Sequence, residues 1–252
     1  ELDGSHGSRA FVSWYSGHPD AVALEPRLDH RAAVVVGAGN VALDVARVLT
    51  MDPDRLADTE IAPRALAALR ASEVEEVVVT GRRAPIDAAF TLPELVGLAT
   101  APGIDLQIDA SDEEIAAAPK LALVRSLERP GGRRRVTLRF HLTPTAALGD
   151  GRLAAVEFGT ERIGAGLLLT SIGYGASPIP GLPFDADSRT VPNDRGRVID
   201  PASGIAIPRT YVTGWIKRGP TGFLGTNRSD SKETVMTLVE DLNAERLRRQ
   251  VP

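Results

Sequence analysis

Two hydrophobic rhythms divide the chain. Ala33-Val-Val-Val36 is a short unbroken apolar run, the pattern of a strand buried on both faces, and Glu76-Val-Val-Val-Thr80 and Leu167 to Ile172 repeat it. These predict parallel strands of one sheet. After the first run and a glycine turn, Val41, Val45 and Leu49, with Ala42 and Ala46 beside them, recur at helical spacing. The alanine- and leucine-rich stretch Ala62 to Ala71, within an insert from Met51 to Ser72, predicts another helix. Thr91 is placed to cap a third, with Pro93 and Glu94 in its first turn. The amino end, with Trp14 and Tyr15, reads as a packed, irregular lead-in.

From Pro102 the rhythm shortens. Ile104 to Ile108, Arg135 to Leu142 and Leu153 to Phe158 alternate apolar and polar residues, and Gly149-Asp150-Gly151 is a hairpin signal. This region is expected to be an antiparallel β insertion. Pro178, Pro180, Pro183, Pro192, Pro201 and Pro208 then punctuate an extended crossing to a second domain. Arg209 to Trp215 predicts a strand ending in Gly214, followed by a glycine-rich loop to Asn227. A helix closes the pattern, with Val235, Leu238, Val239 and Leu242 on one face and Asp230 near its start. The expected fold class is α/β: a Rossmann-like domain over residues 1–180, with a parallel sheet, and part of a second domain over 181–252.

Composition narrows the function. The 252 residues contain no cysteine, which excludes disulfides, redox thiols and cysteine-ligated clusters within the chain, so any redox chemistry must use a bound cofactor. A net charge of −4 argues against general nucleic-acid binding. No run reaches the length of a membrane span and the first residues are unlike a signal peptide, so a cytoplasmic protein is expected. The arginine group Arg125, Arg129, Arg133, Arg134 and Arg135 reads as a solvated face, and four scattered histidines offer no metal-ligand spacing.

The glycine turn carries the candidate chemistry. Gly37 permits a tight turn, Gly39 lets the backbone approach a pyrophosphate, and Ala42 is small enough for helix and strand to pack. The positive end of the new helix then faces the phosphates. The next strand runs into Gly81-Arg82-Arg83, where an NAD site places an acidic residue. Two guanidinium groups can fork onto a 2′-phosphate that a carboxylate would repel, so the site is read as NADP-selective. That strand arrives about 40 residues after Gly37 where about 20 is usual, and the insert accounts for the difference. The glycine-rich loop after Gly214 repeats the same strand, loop and helix logic. On sequence alone, Glu94 ranks first as a carboxylate favouring the helix dipole.

Together, Gly37 to Arg47, Gly81-Arg-Arg-Ala-Pro85, Ala89-Phe-Thr-Leu-Pro-Glu94 and Gly214-Trp-Ile-Lys-Arg-Gly-Pro-Thr-Gly222 with Gly225-Thr-Asn227 resemble the adrenodoxin reductase-like ferredoxin–NADP reductases. The resemblance runs from Trp14 through the last helix. It implies a two-domain flavoprotein passing reducing equivalents between NADPH and a ferredoxin-type iron–sulfur protein through FAD. Gly37, Gly39, Asn40 and Val41 would then cradle the NADP pyrophosphate. Arg82 and Arg83, with Glu94 nearby, would bind the 2′-phosphate end. Gly214, Trp215 and Gly222 would lie at the flavin, with Trp215 over the ring where nicotinamide stacks. The family's own glycine-rich FAD element precedes the part matched here, and the family continues past the last helix. The chain is therefore expected to be a fragment supplying chiefly the NADP-binding half, with residues from about Gly181 belonging to the FAD domain. Members often carry a second acidic residue where this chain has Gly97. The alternatives are another NADP-dependent flavoprotein, such as one like the glutamate synthase small subunit, and an NADP-binding module inactive on its own.

Overall fold

The valine run before the glycine turn forms a strand because both of its faces find apolar cover. In the computed structural model, which describes residues 2–127, 131–173, 175–220 and 224–247, the chain divides into two compact units, Glu1–Ile172 and Gly173–Pro252. The first holds β1 (Ser5–Gly7), α1 (Ser8–Tyr15), β2 (Ala32–Val36), α2 (Asn40–Thr50), α3 (Pro53–Leu56), α4 (Pro63–Arg70) and β3 (Glu76–Thr80). It continues through α5 (Leu92–Ala99), β4 (Ile104–Asp109), α6 (Asp112–Ala117), α7 (Pro119–Arg125), β5 (Arg134–Arg139), β6 (Ala146–Asp150), β7 (Arg152–Phe158), β8 (Glu161–Gly164) and β9 (Leu167–Thr170). Six strands make one sheet in the order β1-β9-β2-β3-β5-β4, parallel throughout. Ala33 and Val35 of β2 join the large apolar cluster that includes Leu43, Leu49, Leu95 and Leu98 from the helices. Val34 and Val36 point the other way, into a smaller cluster with Leu153, Val156, Phe158 and Leu168. That second cover comes from the antiparallel meander β6-β7-β8.

Two sequence expectations are corrected. The lead-in is regular: β1 pairs with β9, and α1 buries Phe11 and Trp14, whose rings lie 5.2 Å apart, while the Ser8 hydroxyl donates to the Thr170 carbonyl at 3.0 Å. Within the expected insertion only β6-β7-β8 is antiparallel among the described residues, whereas Ile104 to Ile108 and the strand beginning near Arg135 are β4 and β5 of the parallel sheet. Their alternation has a physical cause. Val136 and Leu138 face the helices, but Gln107, Asp109, Thr137 and Arg139 line an open polar groove on the other face. A strand covered on one side reads as period two whatever the direction of its neighbours.

The arginine group is engaged within the chain more than the solvated-face reading implies. Arg125 pairs with Asp112, Arg135 with Asp105, and Arg134 donates to the Leu49 carbonyl; Arg129 lies outside the described residues.

The second unit contains β10 (Asn193–Asp194), β11 (Arg197–Ile199), β12 (Ala206–Tyr211), α8 (Trp215–Arg218) and α9 (Leu224–Asn243), the strands forming a three-stranded antiparallel sheet. Its fully apolar core is Val191, Val198 and Val212. The expected face of α9 exists, but Val235, Leu238, Val239 and Leu242 are exposed. Asp230, Thr234, Thr237 and Asp241 are buried instead. No described helix is long and apolar enough to cross a membrane.

Candidate functional site

The glycine turn is built by what its residues lack. Gly37 has φ +128°, and a Cβ there would stand 2.1 Å from the Ser171 carbonyl oxygen at the end of β9, so no side chain fits beneath the turn. A Cβ on Gly39 would meet nothing within 4 Å, which leaves open space above the backbone where α2 begins. Ala42, fully buried, lets α2 close on the sheet. Asn40 and Val41 open the helix, and their N–H groups have no acceptor among the described residues. An open backbone surface with unsatisfied N–H groups at the positive end of an 11-residue helix fits a pyrophosphate.

Asn40 also does something its place in the motif does not reveal. Its Oδ1 accepts from the Thr91 N–H at 2.7 Å, and the Ala38 carbonyl accepts from Ala89 and Phe90 N–H at 2.7 and 3.1 Å. From the opposite side Lys120 on α7 donates to the carbonyls of Ala88 and Phe90 at 2.7 and 2.9 Å, its ammonium 5.4 Å from the centre of the Phe90 ring. Residues 88–91 are thus fastened to the glycine turn on one side and to α7 on the other. Thr91 occupies the cap position of α5 as expected, but its side chain makes no cap bond.

Arg82 and Arg83 follow β3 with exposed side chains that no hydrogen bond or ion pair engages among the described residues. Their backbone is fixed: Leu142 N–H donates to Gly81 O at 3.0 Å and His141 N–H to Arg83 O at 3.2 Å. Two free guanidinium groups on a fixed turn are ready for an anion. Glu94 lies instead against α2, where its Oε2 receives Arg47 Nη2 at 2.9 Å; Arg47 also stands 3.4 Å from Asp44. Burial raises the Asp44 pKa, Arg47 works against that rise, and Glu94 adds to it. The space beside Gly97 belongs to the same cluster, since a Cβ there would come within 3.9 Å of Arg47 Nη2. The Arg47–Glu94 pair joins residues 47 positions apart, so only the local Asp44 to Arg47 spacing was readable.

In the second unit Gly214, with φ +77°, starts α8, and Trp215 is 40% exposed at its first position. A partly exposed indole at the first residue of a short helix suits stacking. Gly222 lies outside the described residues. Sequence reasoning missed the support beneath: Lys217 Nζ meets Asp230 Oδ1 at 2.8 Å and Glu233 Oε2 at 2.6 Å, with the Lys217 and Asp230 side chains 6% and 7% exposed. Asp230 Oδ2 accepts from the Gly214 N–H and the Thr213 hydroxyl. Burial works against both charges, but the hydrogen bonds prevail, so the Lys217 pKa is raised and the Asp230 pKa lowered. Asp230 therefore ties Gly214 to α9.

No family model matches the chain. A probable ferredoxin/ferredoxin–NADP reductase of Mycobacterium tuberculosis is 49% identical over 269 residues, covering 98% of this chain and 46% of that protein. The mitochondrial NADPH:adrenodoxin oxidoreductase of Bos taurus is 38% identical, covering 97% and 57%. Among solved structures, Mycobacterium tuberculosis FprA in complex with NADPH superposes with a TM-score of 0.84 at 41% identity, over 100% of this chain and 62% of that one. The chain spans about half the length of the curated relatives it matches. Over nearly its whole length, then, the chain is homologous to part of the ferredoxin–NADP reductases of the adrenodoxin reductase type.

Proposed function

We propose that this chain supplies the NADPH-binding half, and part of the flavin-binding half, of an oxidoreductase passing reducing equivalents between NADPH and a ferredoxin-type iron–sulfur protein through FAD. The carrying observation is the pairing of an open glycine turn at Gly39 with two unengaged arginines where an acid would select NAD. The similarity to NADPH-dependent ferredoxin reductases supports the same reading. FAD, which Gly214, Trp215 and Gly222 would help to hold, would supply the conversion between two-electron hydride chemistry and one-electron transfer.

The chain's own residues bind and orient. Gly37 and Gly39 admit the pyrophosphate, the Asn40 and Val41 N–H groups receive it, and Arg82 and Arg83 take the 2′-phosphate. Gly214 sets the direction in which Trp215 leaves the strand, and the Lys217–Asp230 pair holds Gly214 still. Trp215 and Gly214, with Gly222, form the flavin and nicotinamide contact. Glu94, paired with Arg47 across α2 and α5, is proposed to add a carboxylate near the nucleotide. The proposed domain division is residues 1–180 and 181–252, and the proposed compartment is the cytoplasm, where an NADPH pool would serve the reaction.

Calorimetry with NADP+ and NAD+ on the chain tests the assignment. Replacing Arg82 or Arg83 with alanine is expected to cost about 1.5–3 kcal/mol of NADP+ binding each, while NAD+ binding stays as it was. Equal losses for both nucleotides would remove the 2′-phosphate role.

A further inference from the structure

At two helix starts, those of α5 and α6, the chain carries the sequence signature of a capping box, in which a Ser or Thr cap and a Glu three residues later satisfy each other's backbone N–H. Ser111-Asp-Glu-Glu114 closes it: Glu114 Oε2 accepts from Ser111 N–H at 3.1 Å, and Glu114 N–H donates to Ser111 Oγ at 3.3 Å. Thr91-Leu-Pro-Glu94 has the same spacing at the start of α5 but does not close. The acceptor for the Thr91 N–H is Asn40 Oδ1, from the first residue of α2. With that N–H satisfied from outside, Glu94 is released from its cap and reaches Arg47, where its side chain stays 38% exposed.

We infer that Asn40 is a positioning residue that keeps Glu94 out of its own capping box and presents the carboxylate, paired with Arg47, between α2 and α5. Several observations support this. Lys120 and the Ala38 carbonyl hold residues 88–90 in place, so the Thr91 N–H cannot swing toward solvent when its partner is lost. A buried or half-buried backbone N–H takes the nearest acceptor, and the signature puts the Glu94 carboxylate within reach. Arg47 retains Asp44 at 3.4 Å, so Glu94 can leave without stranding the guanidinium. A single amide on α2 therefore selects between two states of Glu94, a helix cap or a charged group paired with Arg47. The role stands on this geometry whether or not the cleft takes NADPH.

Amide hydrogen exchange at Thr91, followed by NMR on the chain without nucleotide, reads the choice directly. In Glu94→Ala the Thr91 amide should exchange as in the unaltered chain, because Asn40 still holds it. In Asn40→Ala protection should largely persist, now supplied by Glu94. In the double variant exchange should rise about tenfold over Asn40→Ala, the loss of one net hydrogen bond. Asn40→Asp retains an acceptor and should make Thr91 indifferent to Glu94 again. It also guards against an Asn40→Ala variant that fails to fold. Equal exchange in Asn40→Ala and the double variant, or faster exchange in Glu94→Ala alone, would overturn the inference. NADP+ calorimetry on Asn40→Asp addresses the nucleotide separately: the new charge at the turn should weaken binding at least tenfold while the Thr91 pattern is kept. Unchanged NADP+ binding with the expected exchange pattern would defeat the nucleotide reading and leave the positioning role standing.

Discussion

The two units are held by different forces. In the first, one apolar cluster runs from Phe11 through Leu138 to Leu169 and fills the space between parallel sheet and helices. Its ion pairs are mostly peripheral. In the second, three valines make the apolar core, and the longest helix turns its acids and threonines inward. Lys217 with Asp230, and Arg197 with Asp241 at 2.7 Å, fasten α9 to the rest of that unit. Hydrophobic cores tolerate imperfect neighbours because burial is non-directional, whereas a buried ion pair is stable only while every partner is present.

The largest test of that contrast is Asp230→Ala. Removing Asp230 leaves Lys217 to the half-exposed Glu233 and takes the acceptor from the Gly214 N–H, with an expected cost of about 3 kcal/mol, the low end for breaking a buried pair, which destabilises the second unit while the first is untouched. Chemical denaturation followed by tryptophan emission in a Trp14→Phe background, where Trp215 alone reports, should show the loss, and an unchanged midpoint would dissolve the distinction. A smaller effect comes from pH. Tyr211 donates to Asp241 at 2.6 Å, and burial, then that bond, push its pKa from 10.0 up to about 12. The folded state holds this proton more tightly than the unfolded one. Its contribution is therefore complete below pH 10 and is lost as pH rises toward 12. Ultraviolet titration should show a tyrosine step near 12 that Tyr211→Phe abolishes. The smallest effect is a gain in the first unit. Gly97 is helical, and a Cβ there meets only Arg47 Nη2 at 3.9 Å, so Gly97→Ala should stabilise by about 0.5–1 kcal/mol through backbone entropy, seen as a raised melting temperature.

How far the sequence could be read follows from the range of the forces involved. The valine runs, the glycine turn and the Ala62 to Ala71 helix are local patterns, and each appears where the residues place it; the turn at Gly149-Asp150-Gly151 also forms, but its first arm is Ala146–Asp150 and not the strand beginning near Arg135. β4 and β5 were assigned to the wrong sheet because the composition of a strand reports how many of its faces are covered, not the direction of its neighbours. The crossover α6 and α7 that makes them parallel is short and carried no strong period. The α9 face was identified but not its burial, since a 3.6-residue stripe is equally consistent with either side facing in when charged partners wait elsewhere in the chain. At the candidate site, Gly37, Gly39, Arg82 and Arg83 were legible from their spacing. The bonds from Asn40 to Thr91 and from Arg47 to Glu94 join positions 51 and 47 residues apart, which no local pattern encodes.

The strand order has a consequence for the making of the protein. β1 and β2 are separated in the sheet by β9, and β1 pairs with β9 alone. The Ser8 to Thr170 bond spans 162 positions. During synthesis from the amino end, β1 and α1 leave the ribosome well before β9, and β1 lacks its described sheet partner until Leu167 to Thr170 arrives. The six-stranded sheet is therefore completed by its last strand, inserted between its first two, and its closure waits on one of the longest chain separations in the unit.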